Sequence, residues 1–179
     1  QNGGGIRNDS IIPAGDITEL DTFSMVPFPN FVTVLEGIPP DQFKEIMENA
    51  VSRVEHVDGR FAQISGFTLV WDPDETPREL DDEGNLVTPG SRVREILLDD
   101  GTYIVQDGAV VGGAPDVTVA TIDFLARGGD QYPFGDAPFT SLGVTYQQAL
   151  SDYIEVGLGG LITAEDYPEG GEGRITEID

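Results

Sequence analysis

Residues 39–54, PPDQFKEIMENAVSRV, contain the strongest secondary-structure signal in the chain. Its two prolines preset a first helical turn, and apolar side chains follow at i, i+3, i+4, i+7, i+8 and i+11. This stripe predicts an amphipathic helix with one face on a core. Its members are Phe43, Ile46, Met47, Ala50, Val51 and Val54.

Strand patterns lie on both sides of this helix. Residues 31–36 (FVTVLE) precede it, and residues 61–64 (FAQI) and 67–71 (FTLVW) follow it as a predicted strand pair. Residues 93–98 and 102–105 flank an Asp-Asp-Gly turn, which is typical of a hairpin. We therefore expect β-structure packed on the helix.

The remaining patterns complete an α+β class, with a mixed β-sheet flanked by helices. A Thr-x-x-Asp capping box predicts a short helix over about residues 19–25, and a second helical stripe begins at Tyr146. Residues 117–122 are apolar or β-branched throughout, which favours a central strand. Residues 72–92 are acidic and without period, so we expect an exposed insertion. Residues 174–176 (RIT) are expected to close the sheet as a last short strand.

Composition excludes several classes of function. With 9 basic and 33 acidic residues the chain carries a net charge of −24, which repels nucleic acid and anionic membranes. No apolar run reaches the ~18 residues that a membrane span needs. There is no cysteine, and the single histidine, His56, is too few for a histidine-based metal site. We expect one domain over residues 1–179 without a metal or cofactor of its own.

Three loops contain residues that a plain connection does not need. Residues 2–7 (NGGGIR) combine glycines, which let a ligand approach the backbone closely, with an arginine that can pair with an oxyanion. Residues 26–30 (VPFPN) hold a phenylalanine between prolines, and residues 123–132 (DFLARGGDQY) place a phenylalanine near paired glycines and an acid. Two rings can stack on a planar base, and a carboxylate can accept both ribose hydroxyls.

Each loop by itself also has a plain explanation. The glycine run can be a tight turn, and each phenylalanine can belong to the core. In order and spacing, however, these three loops, the GDIT turn at 15–18 and GRFAQISG at 59–66 resemble the C-terminal domain of the 5'-nucleotidase family. The resemblance runs from about Asn2 to Ile175.

The resemblance implies a two-domain hydrolase that is secreted, periplasmic or at the cell surface. In that family, which includes UDP-sugar hydrolases and cyclic-nucleotide phosphodiesterases, an N-terminal metallophosphoesterase domain binds two divalent metal ions. The C-terminal domain holds the nucleoside or nucleotide and supplies no catalytic residue. A chain that begins at Gln1 is then expected to be a fragment without the catalytic domain and inactive alone. That catalytic domain, in the same polypeptide, is its expected partner.

The resemblance also assigns roles to residues of this chain. Phe28 and Phe124 match the pair that stacks the base, Arg7 the residue that grips the phosphate or another anionic group, and Asp130 the ribose-binding acid. Three further positions match residues that line the same pocket: Asn2, Asn30 and Gly59.

Two departures from the family pattern leave an alternative open. Pro29 replaces a glycine between Phe28 and Asn30, which fixes φ and removes an N–H, and Gln131 replaces a glycine beside Asp130. Both would suit a non-catalytic extracellular module that keeps the fold but has lost nucleotide binding. A sulfur-oxidation hydrolase of the same architecture would not need the two rings, so their retention argues against it.

Overall fold

The structure, a computed structural model, describes residues 1–7 and 13–178. The helices are α1 (Glu19–Met25), α2 (Pro40–Ala50), α3 (Asp123–Ala126) and α4 (Tyr146–Asp152), and a π-helical turn (Tyr153–Gly157) continues α4. The strands are β1 (Phe31–Ile38), β2 (Phe67–Trp71), β3 (Glu79–Leu80), β4 (Leu86–Thr88), β5 (Val93–Leu98), β6 (Tyr103–Gln106), β7 (Ala109–Val110), β8 (Val117–Ile122), β9 (Phe139–Thr145) and β10 (Ile175–Glu177).

A three-stranded antiparallel sheet, in the order β8-β1-β9, brings two of the predicted loops together. Val32 at the start of β1 lies opposite Ile122 at the end of β8. The VPFPN loop leads into β1, and the DFLARGGDQY loop leaves β8 through α3. Their neighbouring ends are joined by a hydrogen bond from the Phe31 N–H to the Asp123 Oδ1, at 3.0 Å. This register places the end of the VPFPN loop beside the start of the DFLARGGDQY loop.

A five-stranded sheet, in the order β10-β2-β5-β6-β7, carries helix α2. Strand β10 runs parallel to β2, and the other neighbours are antiparallel. The predicted stripe of α2 faces this sheet, and Phe43 meets Phe67 edge to face with ring centroids 5.2 Å apart. Ile46, Met47 and Ala50 are buried with it. The α+β prediction is therefore confirmed.

The strand predicted over residues 61–64 is wrong. Only Ala62 there forms a β-bridge, and its partner is Asn2. The segment instead pairs with the N-terminal loop, since the Gly3 N–H donates to the Phe61 C=O at 2.6 Å and the Gln63 N–H to the Gln1 C=O at 2.7 Å. A partner remote in sequence decided this pairing, and local alternation could not reveal it.

Two other predictions need correction. Residues 117–122 form β8, but this strand is at the edge of its sheet, and β1 is central. The acidic segment 72–92 contains the hairpin β3-β4 and returns into the core, where Arg92 is buried. Buried Glu48 of α2 accepts the Arg92 N–H at 3.0 Å, which anchors the end of the segment.

The capping box of α1 is confirmed. Thr18 and Asp21 exchange side-chain to backbone hydrogen bonds at the start of the helix. Within residues 1–7 and 13–178, no helix combines the length and apolar character that a membrane crossing requires.

Candidate functional site

All seven residues proposed from the sequence as ligand contacts line one pocket of about 410 Å³. Phe28 and Phe124 are 38% and 42% exposed, so neither residue belongs to the core. An exposed aromatic ring in a concave site provides a face for a planar ligand. The seven residues are Asn2, Arg7, Phe28, Asn30, Gly59, Phe124 and Asp130.

The glycine run brings the N-terminal loop against the segment around Gly59. The Gly4 N–H donates to the Gly59 C=O at 2.7 Å, and a β-carbon on Gly59 would lie only 3.0 Å from the Gly4 Cα. A β-carbon on Gly5 would lie 2.8 Å from the Asn2 Oδ1. Close packing of backbone on backbone therefore explains Gly4 and Gly59, whereas the side chains of Gln1 and Asn2 leave no room for a β-carbon on Gly5. The contact between Gly4 and Gly59 forms one wall of the pocket.

Arg7 and Phe28 contact each other at one side of the pocket. The guanidinium carbon of Arg7 lies 5.1 Å from the centroid of the Phe28 ring, within the range of a cation–π interaction. The Arg7 N–H donates to the Met25 C=O at 2.7 Å, which holds the N-terminal loop beside the end of α1. A positive charge and an aromatic face are thus adjacent.

Tyr146, at the start of α4, links the N-terminal loop to the VPFPN loop through hydrogen bonds. Its hydroxyl accepts the Phe28 N–H at 3.0 Å and donates to the Gly5 C=O at 3.1 Å. Burial raises the pKa of Tyr146 above its ordinary value, while the Phe28 N–H and the Arg7 charge act in the opposite direction. The hydroxyl therefore keeps its proton and can donate across the loops.

Asp130, in the third loop, lines the pocket beside Asn2. The Asn2 Nδ2 donates to the Asp130 Oδ2 at 2.5 Å, and Asn2 itself is buried. This bond uses one carboxylate oxygen and leaves Oδ1 for another donor. Nearby, the Tyr132 hydroxyl donates to the Arg60 C=O at 2.6 Å, which fastens the third loop to the segment around Gly59.

The aromatic ring of Phe124 lies directly over the backbone of Gly129. A β-carbon on Gly129 would come within 2.5 Å of the Phe124 ring carbons Cε1 and Cζ. The first glycine of the paired set, Gly128, has a φ of 87°, a left-handed conformation that glycine adopts without strain. One glycine therefore turns the loop and the other makes room for the ring.

Pocket residues that the sequence interpretation missed include Asp58 and Ile122. Both directly adjoin segments with a motif, Asp58 before Gly59 and Ile122 before the third loop, and this adjacency was the available signal. Burial opposes ionisation of Asp58, but hydrogen bonds and charge from Arg60, with the charge of Arg53, hold its pKa below the ordinary value. Asp58 is thus a carboxylate at neutral pH.

The two departures from the family pattern have different positions. Pro29 lines the pocket, as does Asn30, whose C=O accepts the Tyr146 N–H at 3.1 Å. Gln131 lines a separate cleft, together with Arg53, Arg60 and Arg78. Gln131 has a φ of 59°, a left-handed conformation that costs a residue other than glycine some backbone strain. Gln131 is not among the residues that line the pocket.

Within residues 1–7 and 13–178, no three His, Cys, Asp or Glu side chains are grouped closely enough to hold a metal ion. The pocket itself offers aromatic faces, a guanidinium, amides and carboxylates. These groups can bind a planar, polar ligand with hydroxyls and an anionic end.

Comparison with protein families, curated proteins and solved structures identifies relatives of this chain. The family described as "5'-nucleotidase, C-terminal domain" matches residues 1–136. The chain is 30% identical over 179 residues to the trifunctional nucleotide phosphoesterase protein YfkN of Bacillus subtilis (strain 168), covering 99% of this chain and 11% of the relative.

Solved structures agree with that match. The 5'-nucleotidase precursor from Thermus thermophilus superposes with a TM-score of 0.74 at 26% identity, over 99% of this chain and 31% of that chain. The NAD nucleotidase of Haemophilus influenzae shares the fold, with a TM-score of 0.68 at 17% identity, over 99% of this chain and 29% of that one. The chain thus spans a minor part of each relative's length.

These matches confirm the resemblance inferred from the loop motifs. A family match over most of the chain, a 30% identical relative and the Thermus thermophilus structure all indicate the same family. This chain belongs to the 5'-nucleotidase C-terminal domain family.

Proposed function

We propose that residues 1–179 form the nucleoside-recognition domain of a 5'-nucleotidase-type phosphohydrolase. The observation that carries the proposal is the convergence of three distant loops on one pocket. In it, two exposed phenylalanines, an arginine and a carboxylate meet. Phe28 and Phe124 stack the base, Asp130 accepts the ribose hydroxyls, and Arg7 pairs with an anionic group of the ligand.

In the whole protein this domain positions the substrate, and hydrolysis of the phosphate ester takes place on a separate metallophosphoesterase domain of the same polypeptide. Two divalent metal ions bound there would polarise the phosphate and provide the attacking water. The names of the relatives, a nucleotide phosphoesterase and a 5'-nucleotidase precursor, support this assignment. The same resemblance supports a location outside the cytoplasm.

Calorimetric titration of the chain with adenosine and AMP tests the proposal. Phe28→Ala and Phe124→Ala should each weaken binding by about 1–3 kcal/mol, the value of one stacked base face. Phe23→Ala is the matched control, because Phe23 is also an exposed phenylalanine (49%) but lies on α1 outside the pocket.

Affinity that is the same in the wild type and both pocket variants would contradict the base-stacking role. A chain that binds neither adenosine nor AMP would favour the alternative, a module of the same fold without nucleotide binding. Pro29 in the pocket wall is the feature that fits this alternative. AMP binding tighter than adenosine binding, lost in Arg7→Gln, would assign the anionic group to Arg7.

A further inference from the structure

The third loop holds Asp130 in a strained backbone conformation. Asp130 (φ 50°, ψ 29°) and Gln131 (φ 59°) are consecutive left-handed residues, and neither is glycine. Such residues keep this conformation only where the surrounding structure fixes them, and they occur often at ligand sites. The direction of the Asp130 carboxylate therefore depends on what holds its backbone.

Asn49, near the end of helix α2, makes the contact that fixes this backbone. Its side chain is fully buried, and its Nδ2 donates to the Asp130 C=O at 3.1 Å. The Oδ1 of the same amide accepts a hydrogen bond from the Arg78 Nη1 at 3.3 Å. Arg78 thus orients the amide so that its donor faces Asp130.

Arg78 reaches this position from the acidic segment 72–92. The segment packs closely on α2, since a β-carbon on Gly90 would lie 2.8 Å from the Glu48 Oε2 and 3.0 Å from the Arg78 N. Across the described ranges 1–7 and 13–178, the bond to Asn49 is the only hydrogen bond of the Arg78 guanidinium, which has no ion-pair partner there. Burial lowers the pKa of Arg78 below its ordinary value, and the charges of Glu45 and Glu48 offset this effect only in part. A partly buried guanidinium with one hydrogen bond costs stability, so its role lies elsewhere.

We propose that Asn49 and Arg78 are positioning residues for Asp130, so that the acidic segment controls how the pocket recognises ribose. The inference rests on the proposed function, in which Asp130 accepts the ribose hydroxyls. The contacts run from Arg78 to Asn49 to the Asp130 backbone, and Asp130 is the only residue of the three that lines the pocket. Loss of Arg78 should therefore weaken ribose recognition and leave base stacking intact.

The test compares adenosine with 2',3'-dideoxyadenosine, which keeps the base and lacks both ribose hydroxyls. In Arg78→Met, adenosine affinity should fall about three- to tenfold, the loss expected when one or two hydrogen bonds are misaligned. Dideoxyadenosine affinity should stay within about twofold, because the rings that stack the base are unchanged. Arg78→Lys keeps a donor and should restore most of the preference for adenosine.

Arg94→Met is the matched control. Arg94 is a neighbouring partly buried arginine that pairs with Glu75 at 3.5 Å and has no contact with Asn49 or Asp130. Arg94→Met should leave the affinities for adenosine and for dideoxyadenosine unchanged. If Arg78→Met acted by general destabilisation, Arg94→Met would also lower both affinities. Asn49→Ala should reproduce the selective loss that Arg78→Met gives.

Amide hydrogen exchange provides a readout without ligand. Exchange at residues 130–132 should become faster in Arg78→Met and Asn49→Ala, and remain unchanged in Arg94→Met. This inference alone would be overturned if the wild-type chain prefers adenosine to dideoxyadenosine and Arg78→Met shows the same affinity ratio and the same exchange rates. Wild-type chain that binds both equally would overturn the ribose role of Asp130, and this inference with it.

Discussion

Gly129 shows how much of the pocket depends on single residues. Glycine is present there because the Phe124 ring occupies the volume that any β-carbon would take, with ring carbons 2.5 Å from that point. Its φ is not among the positive values of the loop glycines, so its backbone suits alanine. The requirement for glycine at this position is steric, and it is imposed by a neighbouring side chain.

Gly129→Ala should therefore displace the Phe124 ring without unfolding the chain. We expect a loss of adenosine affinity of about 1–3 kcal/mol, comparable with removal of one stacking face, because the ring can no longer lie over the loop. Calorimetric titration measures the affinity, and circular dichroism checks that the fold is kept.

Gly112→Ala is the control, since a β-carbon on Gly112 would meet nothing within 4 Å and its φ is not positive either. It should bind adenosine as the wild type does. Equal affinity in Gly129→Ala would mean that Phe124 is not held over Gly129 in solution.

Helix α2 supports the chain in two ways, through its apolar stripe and through its C-terminal turn. Its apolar stripe packs on the five-stranded sheet, and its C-terminal turn presents Glu48 and Asn49, both buried, toward the acidic segment and the third loop. Glu48 accepts the N–H groups of Arg92 at 3.0 Å and Val93 at 3.1 Å, and the Lys44 Nζ donates to it at 3.0 Å. The helix thus fastens the start of β5 and supports the pocket.

Glu48→Ala should destabilise the chain by about 3 kcal/mol, because two buried backbone N–H groups and a partly buried ammonium lose their acceptor. Denaturant unfolding gives the change in free energy. Glu45→Ala, an exposed position on the same helix, should change stability by less than about 0.5 kcal/mol. Similar values for the two variants would mean that Glu48 is not the anchor of β5.

For the whole molecule, charge is the dominant property. A net charge of −24 on 179 residues favours solubility and opposes compactness through self-repulsion, and Arg92 with Glu55 and Arg60 with Asp58 are among the ion pairs that offset it locally. The candidate pocket still presents a guanidinium, so an anionic ligand would be held by short-range contacts against an unfavourable long-range field.

Salt should therefore raise thermal stability. Between about 0.05 and 1 M NaCl at pH 7 we expect Tm to rise by several degrees, because the Debye length shortens and carboxylate repulsion is screened. Scanning calorimetry measures this shift. Near the sequence pI of about 4.1 the net charge vanishes, so the same salt series should have little effect there. A Tm that does not respond to salt at pH 7 would show that self-repulsion is not a significant cost.

Elements with local signals were predicted correctly from the residues alone. The stripe from Phe43 to Val51, the capping box of Thr18 and the Asp-Asp-Gly hairpin depend on neighbours within a few residues, so periodicity and turn chemistry predicted them correctly. The loop motifs determined the family for the same reason, because each is a contiguous run with its own composition.

The contacts between distant segments emerged only from the folded chain. Pairing of residues 61–63 with the N-terminal loop, the edge position of β8 and the burial of Arg92 depend on partners far away in sequence. The same is true of the contacts from Arg78 through Asn49 to Asp130. Packing and hydrogen bonding between remote segments choose such partners, and no local pattern of residues encodes that choice.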